Sequence, residues 1–362
     1  MNATPSIIRT ATVTWITYEN YGTYLQAYAL QQVITSLGYD NHILDDWRIV
    51  RPGRVRQWIS RMKRAVLKTG MPENVRKAFH QFKATHLSID DEWKSLNEVS
   101  ANYDIFLCGS DQIWSTHIPI TPYYFLNFTQ KKKIAYAPSL GTDRIPETYS
   151  QTVRPLLADF AAISVREESG AIALTQALGK EVQAVLDPTL LLTAEQWNHA
   201  AASTPQARGD YLLCYFLTPN RWYMDYAAQY AARHRLTLKV FALKPEYRYY
   251  GDEQLYVGPG EFLTLVRSAH TVFTDSFHAS IFSLIYGKDF VTFKRFDDQD
   301  AGSQNSRIVD LFNKLDLRDR LVGKDCLDRV ETLQPIVHTH VQEKLQPLRN
   351  ASLSFLKKAL QQ

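Results

Sequence analysis

The chain has 362 residues, 45% of them hydrophobic and 22% charged, a composition typical of a soluble globular protein with more than one core. Its 41 Lys and Arg residues exceed its 37 Asp and Glu residues by only four, so the charge does not indicate a nucleic-acid partner. Three widely spaced cysteines give neither a disulfide framework nor a zinc motif. Because no apolar run approaches ~18 residues and residues 1–10 lack the pattern of a secretion signal, we expect a cytoplasmic protein.

The first half of the chain alternates short apolar runs with helical patterns. The runs predict strands at 11–16, 41–44, 104–108, 134–137, 162–165 and 182–186. Helices are predicted at 24–37 and 167–178, and Gly38 follows the first of them as a typical helix-ending residue. Residues 54–100 are mostly polar with helical spacing, and Asp187 and Pro188 indicate a break.

A second alternating set follows that break. Its predicted strands are 211–217, 236–242, 271–274 and 290–293, with helices at 221–233 and 261–269. Short apolar strands that alternate with helices indicate parallel sheets covered on both faces. The sequence therefore predicts an α/β protein with two doubly wound parallel-sheet domains that face a cleft. The predicted parts are an N-terminal domain at 1–187 with a helical basic insertion at 50–100, a C-terminal domain at 188–332, and a helical tail at 333–362.

One histidine lies at a predicted strand–helix junction. The apolar run 271–273 precedes the sequence TDSFH at 274–278, and a helical pattern follows. The first N–H groups of a helix lack partners and attract anions, and ligands of open α/β sheets bind beyond the carboxyl ends of the strands. His278 is therefore well placed to meet an anionic ligand and to transfer a proton near neutral pH.

Seven sequence blocks, taken in order, resemble the polysaccharide pyruvyl transferase family. They are ENYGTYLQAYALQ at 19–31, YDIFLCGSDQIW at 103–114, KIAYA at 133–137, SVRE at 164–167, VLDPTLL at 185–191, TDSFH at 274–278 and NSRI at 305–308. Each block is a weak signal alone, whereas the ordered series over about 300 residues is a strong one.

The resemblance implies a fold similar to the two-domain glycosyltransferase-B architecture. It also implies that phosphoenolpyruvate is the co-substrate and gives its pyruvyl group to hydroxyls of a cell-surface polysaccharide or its lipid-linked precursor, forming a pyruvate ketal. No cofactor is expected, and no metal, because the chain has no ligand cluster at metal spacing. Better studied members carry Arg-Leu-His at the junction where this chain has Ser276, Phe277 and His278. A donor-binding charge must then come from elsewhere.

Two residues are expected to carry the proton transfers of such a reaction. His278 is the first choice for the acid that protonates the donor, or for a partner of its phosphate; the alternative is a capped histidine at a helix start. Asp111 follows the strand predicted at 104–108 and is the first choice for the base that accepts a sugar hydroxyl proton. Its alternative role is to cap a tight turn.

The donor's phosphate and carboxylate require positive charge. Arg166 ends a predicted strand and can bind either group with two parallel hydrogen bonds; the alternative is an ion pair with an adjacent glutamate. Arg307 follows the polar loop 297–304 and can supply the charge that Ser276 lacks, unless it is a solvated residue at a helix N-terminus. Ser276 is placed with these residues in the donor site.

The turn before the first predicted helix is assigned to the acceptor, with Asn20, Tyr21, Gly22 and Gln26 as contacts. Tyr21 is expected to precede the helix and stack on a sugar, and Gly22 allows close backbone approach. Gln26 can bind a hydroxyl, although a polar helix face accounts for it equally well. The turn is not a G-x-G-x-x-G pattern, so a dinucleotide is not expected.

Residues 51–68 contain seven Lys and Arg residues and no acidic residue. Trp58, Ile59 and Met62 form an apolar stripe at helical spacing. A basic amphipathic helix with a tryptophan suits peripheral contact with an anionic membrane; the alternative is a surface helix with a cationic wet side.

Two other functions remain open at this point. A nucleotide-sugar-dependent glycosyltransferase would need a base-stacking pocket and a diphosphate clamp in the second domain. A catalytically silent glycan-binding protein would tolerate Ser276 but does not need the acid and base positions at His278 and Asp111.

Overall fold

The computed structural model describes residues 7–46, 49, 71–142, 145–202, 210–296 and 305–362. Two all-parallel sheets organise these residues. The basic segment 51–68 and the polar loop 297–304 lie outside the described residues.

The first sheet has the strand order β3-β2-β1-β4-β5-β6-β7. Its strands are β1 (Arg9–Val13), β2 (Asp40–Leu44), β3 (Ile89–Asp90), β4 (Ile105–Cys108), β5 (Lys132–Ala135), β6 (Ala162–Val165) and β7 (Gln183–Ala184). The helices in this part of the described chain are α1 (Tyr21–Ser36), α2 (Glu73–His86), α3 (Leu96–Asn102), α4 (Glu147–Leu157) and α5 (Glu168–Leu178).

The second sheet has the strand order β10-β9-β8-β11-β12-β13. Its strands are β8 (Tyr211–Tyr215), β9 (Thr237–Phe241), β10 (Glu253–Leu255), β11 (Thr271–Thr274), β12 (Asp289–Phe293) and β13 (Leu321–Val322). The helices that follow are α6 (Ala194–Asn198), α7 (Arg221–His234), α8 (Pro259–Ser268), α9 (Phe277–Ile285), α10 (Ser306–Lys314) and α11 (His338–Gln361). The predicted class, two doubly wound parallel-sheet α/β domains, is confirmed.

Local differences from the sequence prediction have clear causes. Strand β1 ends at Val13, not at residue 16, because its register pairs Val13 with Cys108, the last residue of β4. The edge strands β3, β10 and β13 have only two or three residues each, too few to produce a periodic signal. The predicted helical tail begins at His338, five residues later than position 333.

A continuous apolar core joins the two sheets. It includes Leu25 of α1 and Phe79 of α2 together with Phe262 of α8 and Phe282 of α9. Tyr24 and Tyr28, whose spacing predicts a core-facing stripe on α1, are both buried. Helix α11 returns to the first sheet, where the Ser352 hydroxyl accepts a hydrogen bond from the Leu186 N–H at 3.0 Å. Among the described residues, no helix is both long and apolar enough to cross a membrane.

Each sheet reverses its strand order once, between β1 and β4 in the first and between β8 and β11 in the second. Adjacent chain connections leave in opposite directions at such a point, so a crevice opens beyond the strand ends. Both crevices contribute residues to the same cavity.

Candidate active site

The cavity lies between the carboxyl ends of the two sheets and has a volume of about 230 Å³. Residues from both domains line it. The first domain contributes Tyr18, Asn20, Thr23, Asp111 and Gln112. The second contributes Leu217, Asp275, Ser276, Phe277, His278, Thr292, Phe293, Arg295, Asn305, Arg307, Ile308 and Leu321. Of the residues predicted to act, Asp111, His278, Ser276, Arg307 and Asn20 therefore share one cavity.

His278 is the second residue of helix α9, at the point that the sequence predicted. Its ring Nε2 lies 3.4 Å from Oδ2 of Asp187, and the same oxygen lies 2.8 Å from Nη2 of Arg166. Burial raises the pKa of the Asp187 carboxyl, but the positive charges of Arg166 and His278 and the hydrogen bonds to the carboxylate outweigh it and hold the pKa well below its usual range. Asp187 is therefore an ionised carboxylate shared by Arg166 and His278.

Two guanidinium groups flank Phe277. The central carbons of Arg166 and Arg307 each lie 5.2 Å from the centre of its ring. Nε of Arg307, and Nε and Nη1 of Arg166, are buried without a hydrogen-bond partner among the described residues. Burial and the nearby charge of Arg166 lower the pKa of Arg307 to about 10, so the group stays positively charged at neutral pH. Arg307 lines the cavity, where its unpartnered N–H group is positioned to receive an anion, whereas Arg166 is not among the lining residues.

The surroundings of Arg166 and Arg307 differ from the alternatives that the sequence left open, an ion pair with an adjacent glutamate and a solvated helix N-terminus. The carboxylate that pairs with Arg166 is Asp187, across 2.8 Å. The adjacent Glu167 is held elsewhere, by the Ser139 hydroxyl and the N–H groups of Leu140 and Gly141. Arg307 does lie at the N-terminus of a helix, but it is buried and not solvated.

Asp111 follows β4 in a loop with unusual backbone geometry. Its φ of 60° lies in the left-handed region, which aspartate tolerates better than most residues. The Thr23 hydroxyl donates to its Oδ2 at 2.5 Å, and its own neighbour Gln112 donates a backbone N–H to Oδ1 at 2.8 Å. Ser110, one residue earlier, accepts a hydrogen bond from Nη2 of Arg166 at 2.5 Å. The loop thus links the predicted base to the predicted donor site.

The start of helix α1 forms another wall. Asn20 caps the helix by accepting a hydrogen bond from the Thr23 N–H at 3.2 Å. Gly22 lies directly against the imidazole of His278, with no room for a side chain. Ser276 caps α9 in the same manner, with its hydroxyl accepting from the Ala279 N–H. Both helix starts therefore meet in the cavity.

Two predicted acceptor residues are not available for a ligand. Tyr21 is the first residue of α1 instead of preceding it, and its ring is buried, stacked on Phe262 at 4.6 Å. Its hydroxyl donates to the backbone oxygen of Val257 at 2.7 Å. Gln26 is also buried: its amide donates to Thr14 and to the Thr23 carbonyl, and its oxygen accepts from the Ser110 N–H. Both side chains support the walls of the site.

Three residues of the site were given no role from the sequence. Asp187 was interpreted only as a chain break. Asp275 closes the β8 loop by accepting N–H hydrogen bonds from Leu217 at 2.6 Å and Thr218 at 2.9 Å. Arg295, in the lining, donates from Nε to the Thr218 hydroxyl at 2.9 Å. All three are charged residues just after a predicted strand, and this position is the sequence signal that could have identified them as site residues.

No group of three or more possible metal ligands occurs among the described side chains. The loop carboxylates Asp297, Asp298 and Asp300 lie outside those residues. The charged groups that line the cavity suit an anionic ligand and proton transfer.

Comparison with known proteins agrees with this chemistry. The model of the polysaccharide pyruvyl transferase family matches residues 20–296, and no curated protein matches the chain significantly. Solved structures with a similar fold include a putative UDP-N-acetylglucosamine 2-epimerase from Listeria monocytogenes, at 12% identity and a TM-score of 0.53, covering 94% of this chain and 90% of that one. Another is UDP-GlcNAc 2-epimerase from Neisseria meningitidis, at 11% identity and a TM-score of 0.52, covering 98% and 99%. Identities this low establish the fold alone.

Proposed function

The chain belongs to the polysaccharide pyruvyl transferase family, and from that premise we propose that it transfers the pyruvyl group of phosphoenolpyruvate to hydroxyls of a sugar. The acceptor is a cell-surface polysaccharide or its lipid-linked precursor, and the product is a pyruvate ketal. The reaction takes place in the cytoplasm, at the inner face of the membrane if the acceptor is lipid-linked.

The observation that carries the proposal is the pair of buried guanidinium groups at Phe277. Arg166 and Arg307 offer N–H groups without partners among the described residues, and the helix start at Ser276 adds a partial positive charge. Phosphoenolpyruvate brings a phosphate and a carboxylate, which two separate guanidinium groups can bind. In this arrangement Arg307 supplies the charge that Ser276 does not.

The chemistry needs one proton delivered and two removed. An acid protonates the methylene carbon of the donor, and a sugar oxygen forms a bond to the adjacent carbon as its proton passes to a base. Phosphate then leaves with the electrons of its C–O bond, and a second hydroxyl closes the ketal as its proton passes to the departing phosphate. We assign the acid to His278, held by Asp187, and the base to Asp111, held by Thr23. The arginines stabilise the departing phosphate.

The size of the cavity favours this donor over a nucleotide sugar. Its volume of about 230 Å³ is below the range of roughly 300–1,000 Å³ that is usual for larger ligands. The acid and base positions are both occupied by titratable residues, which a silent glycan-binding protein would not need.

The test combines binding with turnover. We expect calorimetry to show that phosphoenolpyruvate binds wild type, and that Arg307→Gln weakens binding by ~10-fold or more, the usual loss for a hydrogen bond to a charged group. Arg233→Gln is the matched control, because it removes the same charge at an exposed pair with Glu331. Phosphate release with lipid-linked sugars should fall by ~100-fold or more in His278→Ala. Binding of UDP-sugars but not of phosphoenolpyruvate would contradict the proposal.

A further inference from the structure

Asp187 uses its two carboxylate oxygens for different purposes. Oδ1 accepts hydrogen bonds from the N–H of Thr189 at 2.9 Å and from its hydroxyl at 2.6 Å. These bonds cap the short 3-10 turn Pro188–Leu191 and fix the orientation of the carboxylate. Oδ2 is left to face Arg166 and His278.

The contact joins residues that are distant in the chain and come from both sheets. Arg166 follows β6 of the first sheet, Asp187 lies beyond β7, and His278 is the second residue of the helix after β11 of the second sheet. The side chains of Asp187, Arg166 and His278 are 0%, 3% and 10% exposed. At such burial, charges act on one another much more strongly than at a surface. The charge of this carboxylate therefore has a strong electrostatic effect on Arg166 and His278.

The imidazole is held from two directions. Nε2 faces Asp187, and the side of the ring that bears Nδ1 lies against Gly22 at the start of α1. The other charged side chains of its surroundings are Arg166 behind Phe277 and, across the cavity, Asp111, Asp275, Arg295 and Arg307. Asp187 is the carboxylate in contact with the ring within the described part of the chain.

We propose that Asp187 is the positioning residue of this site: its Oδ2 holds the imidazole of His278 and the guanidinium of Arg166 in one arrangement across the two domains. Nε2 approaches Oδ2 to 3.4 Å without a well-aligned hydrogen bond; from this contact we expect the proton of the neutral ring on Nε2, and the carboxylate stabilises the positive charge that the ring carries as an acid. It also balances Arg166, so that, of the two guanidinium groups at Phe277, only Arg166 forms an ion pair with another described residue. The catalytic part of this role depends on the proposed function, whereas the placement of the ring does not.

The kinetic test uses Asp187→Asn, which keeps the size of the side chain and an oxygen that can still accept from Thr189. We expect kcat to fall by ~10-fold or more, while KM for phosphoenolpyruvate stays equal or falls, because Arg166 gains an uncompensated charge. The alkaline limb of the kcat–pH profile should move to lower pH by about one unit or more, since the stabilising negative charge is gone. Thr189→Val is the matched control: it removes the hydroxyl's hydrogen bond to Oδ1 but keeps the backbone N–H bond that orients the carboxylate, and it should leave the profile in place. A parallel loss of kcat and rise of KM, with an unmoved profile, would overturn the proposal.

A direct test needs no substrate. Nitrogen-15 NMR of histidine-labelled protein, with His278→Gln to assign the signal, should show the Nε2–H tautomer in wild type. Finding Nε2 without its proton in the neutral ring would refute the proposal, and so would ring signals unchanged in a folded Asp187→Asn variant. If that variant does not fold, the tautomer of the wild-type ring still tests the proposal. If wild type releases no phosphate, the proposed function fails, whereas the NMR result still tests the positioning role of Asp187.

Discussion

Gly22 and His278 are packed so closely that a Cβ atom on residue 22 would overlap the imidazole ring. The first residues of α1 therefore define where the ring of His278 can lie. Any side chain at position 22 must push either the helix or the ring away from its place.

From this contact we predict that Gly22→Ala lowers turnover by ~100-fold, because a displacement of about 1 Å is sufficient for such a loss. The variant should stay folded, since alanine favours a helix by roughly 0.5–1 kcal/mol over glycine, which offsets part of the strain. Gly323→Ala is the control: a Cβ there would lie 3.7 Å from Lys294 Cδ, an ordinary contact. Phosphate-release assays and urea denaturation measure both effects. Wild-type turnover in Gly22→Ala would show that the ring position does not matter.

We predict that Arg166→Lys impairs use of the donor more than use of the acceptor. Lysine keeps one positive charge but cannot bind Asp187 and Ser110 through a planar group while presenting further N–H groups. The apparent KM for phosphoenolpyruvate should rise by ~10-fold or more, with a smaller change for the sugar. Kinetics with each substrate varied separately measure this. Equal changes for the two substrates would count against the assignment to the donor site.

A pH effect on stability is expected from Asp46, which is fully buried and accepts a hydrogen bond from the Tyr124 hydroxyl at 2.7 Å. Burial raises the pKa of its carboxyl to about 6, whereas the unfolded value is about 3.9. Between these values the native state keeps a proton that the unfolded state has released. The free energy of unfolding therefore falls as pH rises from about 4 to about 6, by about 3 kcal/mol from this residue.

Asp46→Asn should remove that part of the pH dependence. Urea denaturation at pH 4.5 and pH 7 measures it as the difference between variant and wild type. Asp319→Asn serves as the control at an exposed carboxylate. If Asp46→Asn and wild type lose equal stability over this interval, the carboxyl is ionised throughout.

Activity should survive exhaustive chelation. No cluster of three possible metal ligands occurs in the ranges that the structure describes, and arginines can neutralise the donor phosphate instead. Phosphate release measured before and after treatment with a chelator tests this. Complete loss that one divalent ion restores would show that the reaction needs a metal.

The basic segment 51–68 remains a prediction from the sequence. We expect the protein to sediment with vesicles of anionic lipid, at ~1 kcal/mol per cation near the surface, and to be released at high salt. Replacing four of its five arginines, Arg54, Arg56, Arg61 and Arg64, with Gln should abolish sedimentation but not turnover on a soluble acceptor. The control removes the same charge from exposed positions elsewhere, at Arg76, Arg221, Arg318 and Arg329. Equal sedimentation of both variants and wild type at low salt would leave the segment as a surface helix.

The sequence predicted the elements whose signals are local. Strands β4 and β11 are runs of buried residues, and β6 is buried from its second residue onward. The strand–helix junction at His278 is predicted because a helical pattern follows β11 directly. Strand β13, with two residues, is held by its pairing with β12, an interaction that no local pattern records.

Contacts across the cleft could not be predicted in this way. Tyr21 was expected to be available to a sugar because the regular spacing begins at Tyr24, yet the residues that bury it come from α8 and β8, over 190 positions later. Asp187 looked like a linker residue because its partners are Arg166 and His278, and only the fold brings these together. The resemblance to a family supplied the roles, and the three-dimensional structure supplied the partners.

The burial of Tyr21 has a consequence for how the enzyme cycles. Its ring, on the first domain, packs against Tyr215, Phe241 and Phe262 of the second. Separation of the two domains at this point would expose the ring to water, at a free-energy cost of roughly 1.5–3 kcal/mol. At that cost, the open conformation makes up less than about one tenth of the molecules. On the proposed reaction, we expect substrates to enter and phosphate to leave through the mouth of the cavity without domain opening. Viscosity should then slow turnover less than in an enzyme whose domains must separate.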